Sequence, residues 1–381
     1  MTVTYDAIVI GIGGMGSATV YHLAKRGLNV LGIEQFGIPH EMGSSHGLTR
    51  IIRLAYYEDP SYVPLLRRSY ELWTQLEQES GEKLFYQTGS IDAGLEDSEV
   101  FTGSLQSCIE HQLEHEVLDS QQLTQRFPGY RLPENFKAVF QAQGGLLIPE
   151  KCITSHADMA KKYGATVHEN ERVQGWEIAG DGQVTVTTDS ATYTAEKLVI
   201  CGGAWAYKLL PELRNKAVPE RQVLIWMETK KPEWFTPGRF PVWNAIVDEG
   251  RYYGFPEFNP DGTTPGMKFG RYHHRDEIVD PDTLDRNVYP EDEALLRQFG
   301  EKYFPDGAGK TLSLKECMFT NTSDEHWILQ TMPDYPQVSV AAGFSGHGFK
   351  VASVIGEIMA DLAQEGETQH DIQLHRLERL G

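Results

Sequence analysis

The amino-acid sequence predicts a mixed α/β fold, in which a discontinuous nucleotide-binding domain carries an inserted domain built on an antiparallel sheet. Three observations predict this class. The chain opens with a strand, a glycine-rich turn and a helix, and it closes with a similar arrangement. Between them lies a long span rich in aromatic, proline and glycine residues with short apolar runs. We assign the nucleotide-binding domain to residues 1–85, 147–222 and 323–381, and the inserted substrate domain to residues 86–146 and 223–322.

The first of these elements form a βαβ unit. Residues Tyr5–Ile10 are a short, mostly apolar run that ends in a glycine turn, which indicates a buried strand. A helix is predicted over residues 15–26, with Gly27 placed to end it. The apolar run Val30–Ile33 is a second buried strand, and it ends at Glu34. Parallel pairing of the two strands with a right-handed crossover follows.

The glycines of this unit have the spacing G-x-G-x-x-G. Gly11 permits a tight turn, Gly13 allows a pyrophosphate to approach the backbone, and Gly16 allows the helix to pack closely on the strand. The helix N-terminus then offers free N–H groups to the phosphates. Glu34 can accept hydrogen bonds from ribose hydroxyls. The pattern predicts a Rossmann-like dinucleotide site, and by itself it does not separate FAD from NAD.

The remaining elements follow from local patterns in chain order. Residues 184–188 and 191–195 alternate in polarity on either side of Asp189 and Ser190, which predicts an antiparallel hairpin. The other predicted elements are a helix over 61–79, a buried strand over 198–201, a strand over 338–342 and a helix from about 350 to 362.

The composition is that of an acidic globular protein. Apolar residues make up 40% of the 381 residues, and the formal net charge is −20. Such a charge argues against a nucleic-acid or anionic-membrane partner. The four cysteines are far apart, which predicts neither a metal site nor a disulfide framework and fits a reducing compartment. The chain enters a strand almost at once, so we expect a cytoplasmic protein without a signal peptide or a membrane span.

Several longer segments resemble one enzyme family. Residues 43–53 (GSSHGLTRIIR), Tyr62–Leu65, Cys317, Asp324–His326 and Gly343–Lys350 resemble segments of the monomeric sarcosine oxidase and N-methyltryptophan oxidase family, in the same order along essentially the whole chain. The resemblance implies an FAD-dependent oxidase, a monomer without a metal. It would oxidise the C–N bond of a secondary-amine amino acid with O2, yielding an imine and H2O2.

The resemblance also implies the positions that contact the flavin cofactor. They are Gly11, Gly13, Gly14, Met15, Gly16, Glu34, Gln35, Ser44, Ser45, His46, Thr49, Arg50, Val173, Cys201, Gly202, Trp205, Gly343, Gly346, His347, Gly348 and Lys350. Cys317 matches the cysteine through which family members hold FAD covalently, by a thioether at the 8-methyl position. A buried free cysteine that acts as a small apolar residue is the alternative for Cys317.

Four residues match catalytic positions of the family. Lys268 matches the lysine that activates oxygen beside the flavin, and Arg50 and His46 match residues packed against the flavin ring. Tyr253 matches an active-site tyrosine. The alternatives are a solvated strand lysine for Lys268, a histidine satisfied by backbone hydrogen bonds for His46 and an ordinary sheet aromatic for Tyr253. The stretch 259–264 makes the loop before Lys268 longer than the resemblance leads us to expect.

The substrate carboxylate is expected between two cations. Arg53 and Lys350 match the family's carboxylate clamp, with a planar guanidinium fork and a point charge; a pair of surface cations is the alternative. Phe319 stands where the family leads us to expect a tyrosine, which hints at a substrate more apolar than sarcosine. His273 and His274 are expected to be an exposed loop pair and receive no role.

Other functions remain open at this level. The substrate is either an N-methyl amino acid or a cyclic imino acid such as pipecolate or proline. A dehydrogenase that passes electrons to another acceptor is a second enzyme hypothesis. A non-catalytic flavin-binding protein is the third, and the three cations Arg53, Lys268 and Lys350 argue against it, because a degenerate site would be expected to lose them.

Overall fold

A computed structural model describes residues 4–258, 260 and 266–381 of the chain. Except for Pro260, the loop 259–264 therefore lies outside the described residues. No helix in the described part of the chain is both long enough and apolar enough to cross a membrane.

Eight α-helices occur in the described residues. They are α1 Gly14–Lys25, α2 Val63–Ser80, α3 Glu99–Glu110, α4 Ser120–Arg126, α5 Pro149–Lys162, α6 Ala206–Leu209, α7 Pro290–Tyr303 and α8 Ala352–Glu365. Single turns of 3-10 helix precede α2 and α8. The predicted helices at 15–26, 61–79 and 350–362 are confirmed as α1, α2 and α8, within a few residues at each end.

The same residues form nineteen strands. They are β1 Thr4–Ile10, β2 Val30–Ile33, β3 Arg50–Ile52, β4 Phe85–Gln87, β5 Ser90–Leu95, β6 Glu116–Asp119, β7 Phe136–Gln141, β8 Gly145–Leu147, β9 Thr166–His168, β10 Val173–Ile178, β11 Val184–Thr188, β12 Thr192–Ile200, β13 Val218–Met227, β14 Val242–Val247, β15 Gly250–Phe255, β16 Met267–Arg271, β17 Thr311–Asn321, β18 Ile328–Met332 and β19 Tyr335–Ala342.

The first sheet holds the βαβ unit at its centre. Its order is β10-β11-β12-β1-β2-β9. In addition, β19 pairs with the C-terminal part of β12 and with β18. The strands β9, β2, β1, β12 and β19 run parallel, and buried apolar side chains such as Ile8 and Leu198 fill the ladder between them. The predicted hairpin is confirmed, because β11 pairs antiparallel with β12, with Val184 opposite Ala195.

Helices α1 and α8 pack closely against each other beside this sheet. A Cβ added at Gly356 of α8 would lie 2.4 Å from the Cβ of Ala18 in α1. Small residues at the crossing therefore allow the two helix backbones to approach each other. Through this contact, and through the pairing of β19 with β12, the C-terminal segment packs on the sheet that the N-terminal segment begins.

The second sheet has the order β17-β13-β16-β15-β14-β5-β7-β6. Its pairs are antiparallel, as predicted, except that β14 and β5 run parallel. Helix α7 covers one face, where Phe299 stacks on Tyr252 with ring centroids 3.7 Å apart. A small third sheet has the order β3-β8-β4 and is formed by segments that are distant in the sequence.

Three of the predicted domain boundaries fall within or beside continuous strands. The boundary at 222/223 lies inside β13, which joins the second sheet from Val218 onward. The boundaries at 85/86 and 146/147 lie inside β4 and β8, which pair with each other. These three boundaries therefore divide continuous strands, and the assignment of the two domains stays a prediction.

The register of the second sheet places two of the four predicted catalytic residues, Tyr253 and Lys268, on one face. Tyr253 of β15 lies opposite Asn244 of β14, and Phe255 of β15 lies opposite Lys268 of β16. Asn244 in turn is the partner of Asp92 on β5. Since side chains two residues apart on a strand share a face, these five residues point the same way.

Candidate active site

A cleft opens at the carboxyl ends of β1, β2 and β12, where the glycine turn begins. Gly11 has a φ of +86°, a value that favours glycine. A Cβ added at Gly16 would lie 1.7 Å from the carbonyl oxygen of Gly11, so only glycine fits at this position in the first turn of α1. The turn therefore has the close helix-to-strand contact that the spacing predicts.

Glu34 is buried at the end of β2 and faces the same cleft. Its Oε2 accepts a hydrogen bond of 2.8 Å from the backbone N–H of Ile12, and its Oε1 accepts one of 3.1 Å from Phe36. His40 lies 3.5 Å from Oε1. The carboxylate is thus fixed by the glycine turn and by the residue that follows β2, which suits it to orient a ribose.

Replacing Gly13 with alanine should weaken FAD binding while leaving the apoprotein folded. A Cβ at Gly13 would lie more than 4 Å from every described atom outside its neighbours, and its φ of −75° suits any residue. The added methyl would instead occupy space that a pyrophosphate needs. We expect FAD incorporation to weaken roughly 5- to 150-fold, the equivalent of 1–3 kcal/mol of overpacking. FAD incorporation into apoprotein and its thermal unfolding would test this.

Gly16→Ala is the matched comparison, because its methyl would overlap the protein itself. It should lower the unfolding temperature of the apoprotein as well as the FAD content. A Gly13→Ala protein that incorporates FAD normally would contradict the proposed approach of the pyrophosphate to this turn.

Most of the predicted cofactor contacts line this cleft. Those that do are Gly11, Gly13, Gly14, Met15, Glu34, Gln35, Ser44, Ser45, Arg50, Val173, Cys201, Gly202, Trp205, Gly343, Gly346 and Gly348. Those that lie outside its lining are Gly16, His46, Thr49, Cys317, His347 and Lys350. The cleft also includes Arg172 and Lys208, two cations that the sequence analysis does not identify.

His46 is fully buried outside the lining of the cleft, next in the chain to Ser45, which does line it. Both of its ring nitrogens are buried and have no hydrogen-bond partner within the described residues. Burial, followed by the charge of Arg50, lowers the pKa of His46 to about 2, so the ring is neutral. Unpartnered buried polar atoms are costly, and a polar ring system bound here would satisfy them. The site therefore fits the flavin that the resemblance implies, and the backbone-hydrogen-bond alternative does not hold for this histidine.

Lys268 is buried and held at three points. Its Nζ donates to the carbonyl oxygen of Gly47 at 2.6 Å, to that of Thr49 at 2.9 Å and to the Thr49 hydroxyl at 3.1 Å. The ammonium also lies 4.4 Å from the ring centroid of Phe255. Burial, followed by the charge of Arg50, holds the pKa of Lys268 well below its ordinary value. The solvated-lysine alternative is therefore wrong.

A second, smaller pocket adjoins the cleft. The two share Arg50, Gly346 and Phe349 in their walls. Its other lining residues are Ile51, Arg53, Asn244, Tyr253, Phe255, Tyr272, His347 and Lys350. The predicted carboxylate clamp and the predicted active-site tyrosine therefore face one space, next to the predicted flavin site.

Arg53 is 1% exposed and already carries two carboxylate partners. Its Nη2 donates to Glu58 at 2.9 Å, and its Nη1 donates to the carbonyl oxygen of Ala55. Its Nε lies 3.5 Å from Asp92. Burial alone would raise the pKa of Glu58, but Arg53 and its neighbouring cations lower it to about 2. Arg53 is thus a buried ion-pair centre, and the alternative of a surface cation is wrong.

Lys350 is the second cation of this pocket. Its Nζ donates to the carbonyl oxygen of His347 at 2.6 Å and lies 3.5 Å from the Tyr56 hydroxyl. His347 accepts from the Tyr56 hydroxyl at Nδ1, at 2.5 Å, and donates from Nε2 to the carbonyl oxygen of Glu325 at 2.9 Å. Burial lowers the pKa of His347 to about 4, which agrees with this neutral form. Burial, followed by the charge of Arg53, lowers the pKa of Lys350 to about 7.

Cys317 is buried on β17, with Sγ 3.9 Å from the carbonyl oxygen of Ser44. It packs with Leu224 and Trp226. Burial raises the pKa of its thiol, while Arg50 acts in the opposite direction. Phe319, two residues along the same strand, lines the cleft.

Five polar residues in and behind the wall of the pocket carry no signal strong enough to identify them in the sequence. They are Tyr56, Glu58, Asp92, Asn244 and Tyr272. Glu58 lies only five positions after Arg53, a spacing that offers a weak signal. Asp92 and Asn244 stand in short apolar runs with no motif around them, so only the strand register identifies them.

The expectation that His273 and His274 form an exposed pair is wrong for His274. His274 is fully buried, and its Nε2 lies 3.1 Å from Asp292. His273 pairs with Glu220 at 2.8 Å and with Glu325 at 3.2 Å, and these hydrogen bonds raise its pKa to about 10. Both histidines follow the end of β16 and contact acidic residues of other segments. These contacts cannot be recognised from the histidine pair in the sequence.

Comparison with known proteins identifies related chains. A family model described as FAD dependent oxidoreductase matches residues 6–362. The monomeric sarcosine oxidase of Bacillus sp. strain NS-129 is 42% identical and aligns with 100% of this chain and 98% of that protein. The N-methyl-L-tryptophan oxidase of Yersinia pestis strain Pestoides F is 35% identical over 98% of this chain and 99% of its own. The solved structure of NikD, an unusual amino acid oxidase essential for nikkomycin biosynthesis, has a TM-score of 0.84 and 25% identity, with 98% of each chain covered.

Proposed function

Because the chain belongs to the FAD-dependent oxidoreductase family, with the monomeric sarcosine oxidases and N-methyl-L-tryptophan oxidases among its relatives, we propose that it oxidises N-methyl amino acids with O2. FAD is its cofactor. In the proposed reaction the C–N bond loses two electrons and two protons to give an imine, and O2 becomes H2O2. Water then hydrolyses the imine to an aldehyde and the demethylated amino acid.

The observation that carries this proposal is the small pocket beside the cofactor cleft. Two buried cations, Arg53 and Lys350, form part of its wall, and Arg50 belongs to both cavities. Buried cations next to a flavin site are suited to hold a carboxylate at a fixed distance from the reacting bond. Arg53 already pairs with Glu58 and Asp92, whereas Lys350 has only neutral oxygen partners among the described residues, so a simple amine without a carboxylate would leave Lys350 without an anionic ligand.

The residues of the chain have separate tasks in this proposal. FAD, held in the cleft that begins at the glycine turn, would supply the transfer of electrons from the amine to O2. Arg53 and Lys350 hold the substrate carboxylate. Lys268 and Arg50 supply fixed positive charge where electrons accumulate and where O2 reacts. His46 and the turn Gly346–Gly348 contact the ring system.

A peroxide-coupled screen tests the proposed function. Sarcosine, other N-methyl amino acids, pipecolate and proline would be offered in air, and H2O2 would be compared with amine consumed. We expect one H2O2 for each N-methyl amino acid oxidised. Turnover only with an added electron acceptor would favour a dehydrogenase, and failure of every amine to bleach the flavin under anaerobic conditions would favour a binding protein.

We propose that Cys317 holds FAD through an 8-methyl thioether. Acid precipitation of the purified protein should leave the yellow colour in the pellet, and Cys317→Ser should release it to the supernatant. Cys108→Ser is the matched control and should keep the colour in the pellet, because that buried cysteine lines neither cavity. Free flavin from the unmodified protein would contradict the linkage.

Carboxylate binding should weaken as the pH rises above about 7. Lys350 is charged below its pKa of about 7, so its attraction for a carboxylate is present at lower pH and lost at higher pH. A bound carboxylate favours the charged form, so the fall in affinity extends above pH 7, by about ten-fold per pH unit at its steepest. Titration of the flavin absorbance with propionate from pH 6 to 9 measures this.

Lys350→Met provides the comparison for that titration. It should bind propionate more weakly at pH 6 and show a flat profile over the same range. A wild-type profile equally flat from pH 6 to 9 would show that Lys350 does not face the carboxylate.

We further propose that the protein works as a monomer in the cytoplasm. The four cysteines, all unpaired, suit a reducing compartment, and the Bacillus relative is named as monomeric. Light scattering of the purified protein would test the monomer against its chain mass of 42.9 kDa.

A further inference from the structure

We propose that Asn244 is a specificity-determining residue, whose side-chain carbonyl accepts a hydrogen bond from a donor on the substrate side chain. The inference rests on the proposed function and narrows its substrate class. Preferred substrates would then be N-methyl amino acids whose side chains carry a hydroxyl or an amide N–H.

The first step is the orientation of the Asn244 amide. Its Nδ2 donates to Asp92 Oδ1 at 2.8 Å, and both residues are almost fully buried. A carboxylate can only accept, so the nitrogen of the amide must face Asp92. Burial raises the pKa of Asp92, and the guanidinium of Arg53, 3.5 Å from the same carboxylate, opposes this shift and favours the charged form, as does the hydrogen bond from Asn244. The Asn244 amide therefore cannot flip without losing this bond.

The second step is what remains of Asn244 for a ligand. Asn244 lines the small pocket, while its backbone is taken up by pairing with β15 and β5. Its Oδ1 makes no hydrogen bond to any other described residue, and it is not among the side-chain atoms sealed from solvent without a partner. Asn244 Oδ1 is therefore an unused hydrogen-bond acceptor in the wall of the pocket.

The third step is which part of the substrate meets this acceptor. β14 lies two strands from β16, which carries Lys268, and neighbouring strands are about 4.8 Å apart. Asn244 is thus roughly 10 Å across the sheet from the flavin-facing lysine. The reacting C–N bond must be near the flavin, and an amide oxygen repels the substrate carboxylate, which Arg53 and Lys350 attract. The remaining group is the substrate side chain.

Paired substrates test the inference without any variant. N-methylserine and N-methylhomoserine would each be compared with their O-methyl ethers, which lack the donor. We expect the wild-type kcat/KM to favour at least one hydroxyl compound by about ten-fold over its ether, the upper range for a neutral hydrogen bond. No preference for either hydroxyl compound would overturn the proposal.

Variants identify the residue responsible. Asn244→Leu should lower that ratio to about one. Ile246→Leu, on the same strand and face but outside the pocket, should keep the wild-type ratio. A ratio unchanged in Asn244→Leu would overturn the role of Asn244. Sarcosine has no side chain, so its turnover tests the proposed function separately, and flavin content checks that each variant is folded.

Discussion

Lys268→Met is expected to slow the reaction of the reduced enzyme with O2 by roughly 100- to 1,000-fold, the usual effect of removing one fixed electrostatic group. Burial lowers the pKa of Lys268, but the three oxygen acceptors around Nζ match the three N–H donors of an ammonium and so favour its charged form in a fixed position. Its charge is therefore already in place when O2 accepts electrons, and no reorganisation is needed. Methionine has a similar length and volume but carries no charge.

Stopped-flow spectroscopy separates the two half-reactions of this variant. Anaerobic reduction by sarcosine should change much less than reoxidation by O2. Lys315→Met is the matched control, because Lys315 is a more exposed lysine of the same sheet that pairs with Glu41. The control should reoxidise at the wild-type rate. Normal reoxidation of Lys268→Met would show that this lysine has only a structural role.

Arg53→Ala should lose both substrate affinity and stability. Removing the guanidinium leaves Glu58 and Asp92 buried without their shared partner, which typically costs 3–5 kcal/mol. The loss of a charged hydrogen bond to the substrate carboxylate corresponds to roughly 10- to 150-fold in KM. The first effect can hide the second if little folded protein forms.

Arg53→Lys separates these effects. Lysine keeps the positive charge near both carboxylates, so most of the stability should remain. A point charge cannot form the planar fork, so we expect KM for sarcosine to rise about ten-fold with a smaller change in kcat. Urea unfolding and steady-state kinetics measure the two quantities. Unchanged KM values in both variants would remove Arg53 from the carboxylate site.

The glycine turn and the strands beside it could be predicted from the sequence because their requirements are local. Gly11 needs a positive φ, Gly16 needs the space of a missing Cβ, and apolar runs mark buried strands wherever they occur. The resemblance to the enzyme family added residues 43–53 and the turn Gly343–Lys350 to the predicted cofactor site. Most of the positions that it implies for FAD do line one cleft.

The partners of the charged residues depend on contacts between distant segments. Lys268 and Gly47 are 221 positions apart, and Asn244 and Asp92 are 152 positions apart. No local pattern connects them, because a strand pattern gives the face of a side chain but not the strand that will lie beside it. The ion pairs of Arg53, the burial of His274 and the strand ends at 218, 85 and 147 were therefore beyond prediction.

By itself, then, the sequence predicted a dinucleotide site at Gly11–Glu34 and, through its resemblance, FAD as the dinucleotide. Only the tertiary structure decided how its cations are held and what surrounds the substrate. The register between β5, β14, β15 and β16 sets Asp92, Asn244, Tyr253 and Lys268 on one face. Burial on that face then shifts pKa values and fixes hydrogen-bond directions, because both depend on neighbours that the folded chain brings together.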